Sequence, residues 1–197
     1  MIRILLIRHG NTDLMGRVLY GRMPGVHLNE EGYRQANRLA AQLGQEYELA
    51  KIVSSPLERA LETAHPIARV QGKSVLVDEK ITEIDVGSWT GKTFEDLAGR
   101  DDWKNFNRQR SIYQPPGGER MLQVQARAWE SIEEHIANVP TGTIAFVTHG
   151  DVIRSLLILM LGLSLDHIHR LEVSPGCLTE VELGDSYPIV KRTNQHY

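Results

Sequence analysis

Short apolar runs alternate along the chain with longer segments of helical periodicity. The runs at residues 2–7, 51–54, 75–77 and 143–148 have the composition of strands. Residues 2–7 are almost all isoleucine and leucine, a pattern typical of a strand covered on both faces, which predicts the central strand. The alternation as a whole predicts an α/β fold with a largely parallel sheet.

A helix is predicted after the first strand. Apolar residues recur at i, i+3, i+4 and i+7 from Ala36 to Leu43. Asn29 has a side chain suited to the N-cap, and Gly44 is expected to end the helix.

A second helix start follows residues 51–54. Ser55 offers a capping side chain, Pro56 a first helical residue and Glu58 an acid three residues after the cap. Pro66 is expected to kink or weaken the second half of this helix.

The remaining elements surround the fourth apolar run. Helical patterns cover residues 121–136 before it and about 151–161 after it. The runs at residues 178–183 and 189–192 predict a final hairpin that turns at residues 184–188. No repeat or linker divides the chain, so one domain over residues 1–197 is expected.

Residues 80–118 form the least regular stretch. It is polar, interrupted by Gly and Pro, and contains Trp89, Trp103, Phe106 and Tyr113. Such a stretch is uncommon in a compact domain unless it covers a site, which predicts an inserted lobe over the sheet. The alternative is an irregular helical insertion whose aromatic residues form a small satellite core.

Composition narrows the function classes. The chain has 197 residues, 41% of them hydrophobic and 24% charged, and a net charge of −3. This balance gives no electrostatic footprint for nucleic acid or an anionic membrane surface. Cys177 cannot form an internal disulfide and is expected to be a buried small hydrophobe. The N-terminal apolar run is too short for a secretory signal, so the default expectation is a cytoplasmic protein.

Three predicted strand ends bring candidate chemistry to one edge of the sheet, where ligands bind in such folds. The candidates are two arginines, two histidines and two glycines: Arg8, His9, Gly10, Arg59, His149 and Gly150. Arginine forks and helix N-termini suit a tetrahedral dianion. Arg59 points away from the apolar stripe of its helix, so burial of its stem in the core is not expected. A metal site lacks a third placed ligand, and the arginines would repel a cation.

Four ordered motifs carry a family resemblance. Residues 6–12 (LIRHGNT), 54–64 (SSPLERALETA), 83–91 (EIDVGSWTG) and 147–150 (VTHG) resemble the histidine phosphatase superfamily, in its phosphoglycerate-mutase-like branch. The resemblance implies a three-layer α/β/α fold with a mostly parallel central sheet and a small lobe over the active site.

The same resemblance implies a phosphohistidine enzyme that needs no metal and no cofactor. His9 is expected to be the nucleophile and Glu83 the proton donor. The implied phosphate pocket consists of Arg8, Arg59 and His149, and the implied phosphate and substrate contacts are Asn11, Thr12, Gly21, Arg22 and Gly150. Nucleophilic attack requires His9 to be neutral, which nearby cations favour, and Glu83 needs a raised carboxyl pKa.

The sequence departs from the family pattern in two places. An asparagine common after the Arg-His-Gly motif is replaced in a shortened loop at residues 13–16. Asp151 directly follows the second histidine motif, and a helix N-cap is favoured for it over a second proton-donating carboxylate. The pair His167 and His169 is interpreted as a solvated surface pair rather than a metal site.

A phosphatase is favoured over a mutase because the segment between Glu83 and His149 is short for a glycolytic mutase. That segment still offers cations for a substrate carboxylate: Lys92, Arg100, Lys104, Arg108 and Arg110. A non-catalytic phosphoryl-binding module is a third alternative, although a pure binder has no need of Glu83. The expected partner is a small phosphorylated metabolite of undetermined identity, and a homodimer stays open.

Overall fold

A mixed six-stranded sheet forms the centre of the molecule. The computed structural model describes residues 1–184 and 187–197. The sheet strands are β1 (Ile2–Arg8), β3 (Leu49–Ser54), β4 (Val75–Val77), β6 (Gly142–Thr148), β7 (Leu178–Leu183) and β8 (Pro188–Gln195), and a separate two-stranded ribbon contains β2 (Val18–Leu19) and β5 (Lys92–Thr93). The order of the large sheet is β4-β3-β6-β1-β7-β8. The first four strands of that order are mutually parallel. Strand β7 is antiparallel to both of its neighbours, β1 and β8.

Helices cover both faces of the sheet. They are α1 (Glu30–Glu46), α2 (Glu58–Gln71), α3 (Phe94–Ala98), α4 (Asp101–Arg108), α5 (Met121–Ile136) and α6 (Gly150–Met160). Each face of the sheet has its own hydrophobic core, and alternate residues of β1 contribute to the two cores. Leu5 and Ile7 pack with α1 and α2, whereas Ile4 and Leu6 pack with α5 and α6. The predicted three-layer α/β/α class with a mostly parallel sheet is confirmed, and β1 is an inner strand as expected.

The first helix starts as predicted but ends later. The Asn29 side chain accepts a hydrogen bond from Gly32 N, and the helix continues through Gly44 to Glu46. A Cβ on Gly44 would lie 2.4 Å from Val70 Cγ1 of α2. Gly44 therefore allows two helices to approach closely, and the expectation that it ends α1 is wrong.

The second helix starts later than predicted. Its N-cap is Leu57, with no side-chain cap, and its first helical residue is Glu58. The expected Ser55 cap is wrong because the Ser55 hydroxyl lies 2.7 Å from Nε2 of His149. The helix continues past Pro66 to Gln71, and the kink or weakening expected at Pro66 stays a prediction.

The irregular stretch at residues 80–118 contains β5, α3, α4 and two short 3₁₀ turns. Trp89 and Phe106 from this stretch are buried in the same core as α5 and α6, so they do not form a separate satellite core. The final hairpin pairs β7 with β8. Two residues of its predicted turn, 185 and 186, lie outside the described part of the chain. Among the described helices, none combines the length and apolar character required to cross a bilayer.

Candidate active site

Three neighbouring strands end at the same edge and place the central side chains. The backbone NH of His9 donates to the carbonyl of Thr148 at 2.9 Å, and that of Ser55 donates to the carbonyl of Val147 at 3.0 Å. The residues that follow β1, β3 and β6 are therefore held to one another by main-chain hydrogen bonds. His9 and His149 consequently lie side by side, with their ring centroids 5.2 Å apart.

His9 is fixed in the tautomer that a nucleophile needs. Its Nδ1 lies 2.7 Å from the carbonyl of Gly10 and donates to it, which leaves the lone pair on Nε2. Arg59 Nε donates to that Nε2 at 3.3 Å. Burial, then the charges of Arg59 and Arg8, lower the pKa of His9 well below its ordinary value. The ring is therefore neutral, and its Nε2 carries the lone pair that a nucleophile needs.

Arg59 is completely buried, so the expectation that its stem stays out of the interior is wrong. The guanidinium lies over the Tyr20 ring at 4.8 Å, and its Nη2 donates to the carbonyl of Gly21 at 2.7 Å. These contacts bring it beside His9. Its Nη1 is buried and has no hydrogen-bond partner among the described residues.

Two further buried nitrogens near His9 lack partners within the described part of the chain: Arg8 Nε and His149 Nδ1. Nη1 of the Arg8 guanidinium donates to the carbonyl of Val173 at 2.6 Å, which fixes the side chain. A Cβ on Gly150 would lie 3.3 Å from Arg8 Nε, so this glycine lets the start of α6 approach the guanidinium. Buried donors without partners are costly unless a ligand satisfies them. Such donors suit the oxygens of a phosphoryl group.

Ser55 sets the orientation of His149. Its Oγ lies 3.4 Å from the amide of Leu57, a weak hydrogen bond in which the hydroxyl accepts. We assign the hydroxyl hydrogen to the contact with His149 Nε2 at 2.7 Å, which puts the ring proton on Nδ1. Burial and the charge of Arg59 lower the pKa of His149 well below its ordinary value. The result is a neutral imidazole with a buried N–H donor.

Two carboxyl groups, Glu83 and Asp151, line the same cavity as His9, and their pKa values are shifted in opposite directions. Burial, and then the charge of Asp151, raise the pKa of Glu83 to about 7. Asp151 pairs with Arg110 at 2.9 Å and with Arg154 at 3.2 Å. These two cations hold the pKa of Asp151 below its ordinary value despite burial. Glu83 can therefore hold a proton near neutral pH, whereas Asp151 stays ionised.

The N-cap interpretation of Asp151 is wrong. The N-cap of α6 is His149, and Asp151 lies in the first turn with its side chain committed to two arginines. Its low pKa also removes the alternative role of proton donor.

The predicted substrate contacts fall into two groups. Gly21 and Gly150 line the cavity next to Arg8 and His9. The other three contact neighbouring protein groups. Asn11 Oδ1 accepts from the amide of Thr12, and Arg22 donates to the carbonyl of Glu83 at 2.7 Å. The substrate roles of Asn11, Thr12 and Arg22 stay predictions.

The cavity has a volume of about 250 Å³ and extends from His9 towards residues 94–110. Its far part is formed by Phe94, Trp103, Asn107, Arg110, Arg154 and His169. Of these, the sequence marked only Arg110, as a cation available for a substrate carboxylate. His169 is exposed on one side, as a surface pair would be, but its Nε2 lies 3.3 Å from Arg110 Nη2. The positions of Phe94, Trp103, Asn107 and Arg110 depend on how residues 80–118 fold over the sheet, which no local sequence signal specifies.

Residues 4–196 match the sequence model of the histidine phosphatase superfamily (branch 1). The chain belongs to this superfamily. This histidine phosphatase superfamily member is 35% identical over 196 residues to a bifunctional protein of Mycobacterium tuberculosis, covering 98% of the chain and 54% of the relative. The chain thus spans about half the length of that curated relative.

The other similar proteins include phosphatases by name and phosphoglycerate mutases or mutase-like proteins by name. The histidine phosphatase chain is 32% identical over 168 residues to the glucosyl-3-phosphoglycerate phosphatase of Mycobacterium tuberculosis, covering 78% of the chain and 73% of the relative. The solved structure of a mycobacterial glucosyl-3-phosphoglycerate phosphatase complexed with VO3 has a TM-score of 0.88 and 28% identity, and covers 98% of both chains. The predicted family is confirmed.

Proposed function

We propose that the protein is a phosphomonoesterase that hydrolyses a small phosphorylated metabolite through a phosphohistidine on His9. The observation that carries the proposal is the neutral His9, whose Nε2 lone pair lies beside the buried Arg59 guanidinium. Arg8, Arg59 and His149 each have a buried nitrogen without a hydrogen-bond partner among the described residues, and these nitrogens can donate to phosphoryl oxygens. The phosphatase names among the relatives support the same conclusion.

In the first step, Nε2 of His9 attacks phosphorus while the bond between phosphorus and the ester oxygen breaks. Arg59 Nε, which donates to Nε2 in the free protein, donates instead to an oxygen of the arriving phosphoryl group. Preorganised donors of this kind stabilise the charge on the planar phosphoryl group as it transfers. Glu83, with a pKa of about 7, gives its proton to the departing alkoxide.

The second step reverses the proton flow. The Glu83 carboxylate takes a proton from a water molecule as the water oxygen attacks phosphorus. The bond between phosphorus and Nε2 breaks, its electron pair returns to His9, and inorganic phosphate leaves. The protein residues alone account for both steps, so we expect activity without an added metal ion or organic cofactor.

The test is phosphate release from p-nitrophenyl phosphate in excess chelator, with His9→Ala as the matched variant. The native protein is expected to release phosphate, and the variant is expected to lose at least 10³-fold in kcat, a magnitude of about the size seen when a covalent nucleophile is removed. Equal rates in the two proteins would overturn the covalent mechanism. Activity that chelator abolishes would overturn metal independence.

The Glu83→Gln variant tests the role of Glu83 as general acid. A general acid matters most when the leaving group is poor, so hydrolysis of an alkyl phosphate should slow by roughly 10²-fold or more and hydrolysis of p-nitrophenyl phosphate by much less. Equal slowing of both esters would remove Glu83 from the role of general acid.

A further inference from the structure

The part of the cavity beyond the phosphate end has an apolar side made by two elements. The β2–β5 ribbon contributes Val18 and Leu19, and Phe94 follows the ribbon directly. Main-chain hydrogen bonds hold this junction, because Phe94 N donates to the carbonyl of Arg17 at 3.2 Å and Gly91 N donates to that of Leu19 at 2.9 Å. The apolar side is thus fixed before any ligand arrives.

Phe94 and Trp103 form an aromatic wall on this side. Their ring centroids are 6.1 Å apart, and both line the cavity. Trp103 is held from behind by the edge of Trp89 at 5.3 Å and by Phe106 at 6.4 Å. Phe94 is still 37% exposed. A rigid aromatic wall that remains accessible offers apolar area at little entropic cost to an incoming ring.

Another part of the cavity lining is charged, and most of its charges are paired within the protein. Arg110 and Arg154 both bind the carboxylate of Asp151. Arg110 is also held by Asn107 at 3.1 Å, and its guanidinium lies over Phe106 at 4.1 Å. A second acidic group on a substrate would have to compete with Asp151 for these arginines. Arg110 Nε nevertheless has no hydrogen-bond partner among the described residues, and two arginines face one aspartate, so this part of the lining does not exclude a substrate with a second acidic group.

We propose, resting on the phosphatase function above, that the preferred substrates are phosphomonoesters whose leaving group is a single apolar ring. The ring packs against the aromatic wall of Phe94 and Trp103 while the phosphate occupies the His9 end. The volume of about 250 Å³ lies below the roughly 300–1,000 Å³ of sites for larger organic ligands, which limits the leaving group to a small one.

The kinetic test compares 2-phenylethyl phosphate with propyl phosphate, because both release a primary alcohol and differ in the ring. The native protein is expected to show a kcat/KM ratio of roughly tenfold or more in favour of the ring ester. Phe94→Ala should lower that ratio by about tenfold. Tyr113→Ala, which removes an exposed aromatic side chain of the same segment outside the cavity lining, should leave the ratio unchanged.

A binding test separates this proposal from the proposed function. In His9→Ala, calorimetric titration should show tighter binding of 2-phenylethyl phosphate than of propyl phosphate, with no turnover required. Equal affinities, or a preference of the native protein for 3-phosphoglycerate over 2-phenylethyl phosphate, would overturn the ring site and leave the phosphatase function standing. Failure to release phosphate from any ester would instead overturn the phosphatase function, and equal affinities in the same variant would then overturn the ring site as well.

Discussion

The protonation of Glu83 depends on an aspartate that no substrate needs to contact. Asp151 stays ionised between two arginines, and its negative charge is one reason why the pKa of Glu83 rises to about 7. Removing that charge should lower the pKa of Glu83. Since an acid catalyst must be protonated, Asp151→Asn should move the alkaline limb of kcat/KM for an alkyl phosphate to lower pH, by about one unit.

Asp101→Asn is the matched control for this experiment. Asp101 is exposed and its only ion pair among the described residues is with Lys104 at 3.6 Å, so its pH profile should equal that of the native protein. An alkaline limb that stays in place in Asp151→Asn would show that Asp151 does not set the protonation of Glu83.

Ser55 acts on the reaction through His149. Ser55→Ala removes the hydroxyl that binds Nε2, so the imidazole is no longer held with its proton on Nδ1. We expect kcat to fall by roughly 10- to 100-fold with little change in KM, and Ser55→Thr to restore most of the loss. Nitrogen NMR of the His149 ring should show a shifted tautomer population in Ser55→Ala. An unchanged tautomer would contradict the positioning role.

Single residues divide into those a local pattern can place and those it cannot. His9 and His149 each directly follow an apolar strand, so the rule that ligands bind at the carboxyl edge brings them together. The burial of Arg59 follows from Tyr20 and Gly21, which lie in a loop far away in sequence. The commitment of Asp151 to Arg110 depends on the fold of residues 80–118. Such pairings have no periodicity that a sequence pattern can detect.

The contact between the end of β1 and the start of α1 holds the nucleophile segment in place. A Cβ on Gly32 would lie 2.2 Å from the carbonyl oxygen of Asn11, two residues after His9. The obstacle is backbone, so relief requires the β1 loop to move. Gly32→Ala should therefore lower the free energy of unfolding by about 1–3 kcal/mol, measured by urea denaturation.

Gly99→Ala is the comparison at an open position. A Cβ there meets no atom within 4 Å, and its φ of −78° suits any residue. This substitution should be neutral or stabilise by about 0.4–1 kcal/mol. Equal effects of the two substitutions would remove the close approach as the reason for a glycine at position 32.

Helix ends show where local signals and packing disagree. Asn29 caps α1 as predicted because capping uses groups within four residues. Gly44 stays helical because α2 packs against it, and Ser55 leaves its capping role for a hydrogen bond to His149. In both cases a contact between elements overrides a correct reading of local preference. Contacts between secondary-structure elements are therefore the least predictable part of this fold.

At the scale of the whole molecule, alternation of apolar runs and helical periods is enough to predict the layers and the edge where the site lies. It does not give the strand order, because β6 inserts between β1 and β3 from a distant part of the chain. Nor does it predict which charges become buried together. His9 and His149 are buried and Glu83 is half-buried at this one edge, and their shifted pKa values make the stability of the whole protein depend on pH.

The signs of these three contributions differ. The two histidines have lowered pKa values, so the unfolded chain binds their protons below about pH 6.5 and stability falls on acidification. Glu83 has a raised pKa, so the folded protein holds its proton between 4.5 and about 7, and stability rises on acidification through that window. One proton per molecule corresponds to about 1.4 kcal/mol per pH unit. Two histidines against one carboxyl leave a net loss of about 1 kcal/mol from pH 6 to pH 5.

Substitutions separate the contributions of the histidines and of Glu83 to this pH dependence. In Glu83→Gln the two histidines are unopposed, so the free energy of unfolding from urea denaturation should fall more steeply between pH 6 and pH 5 than in the native protein, by about 1 kcal/mol over that unit. In His9→Ala one histidine opposes Glu83, so the fall should be shallower than in the native protein by about 1 kcal/mol over the same unit. Titrating groups elsewhere are common to all three proteins and cancel in the comparison. Three equal slopes would mean that these groups do not stay in the folded state as a neutral imidazole pair beside a protonated carboxyl. In that case the protonation states on which phosphohistidine chemistry depends would also be wrong.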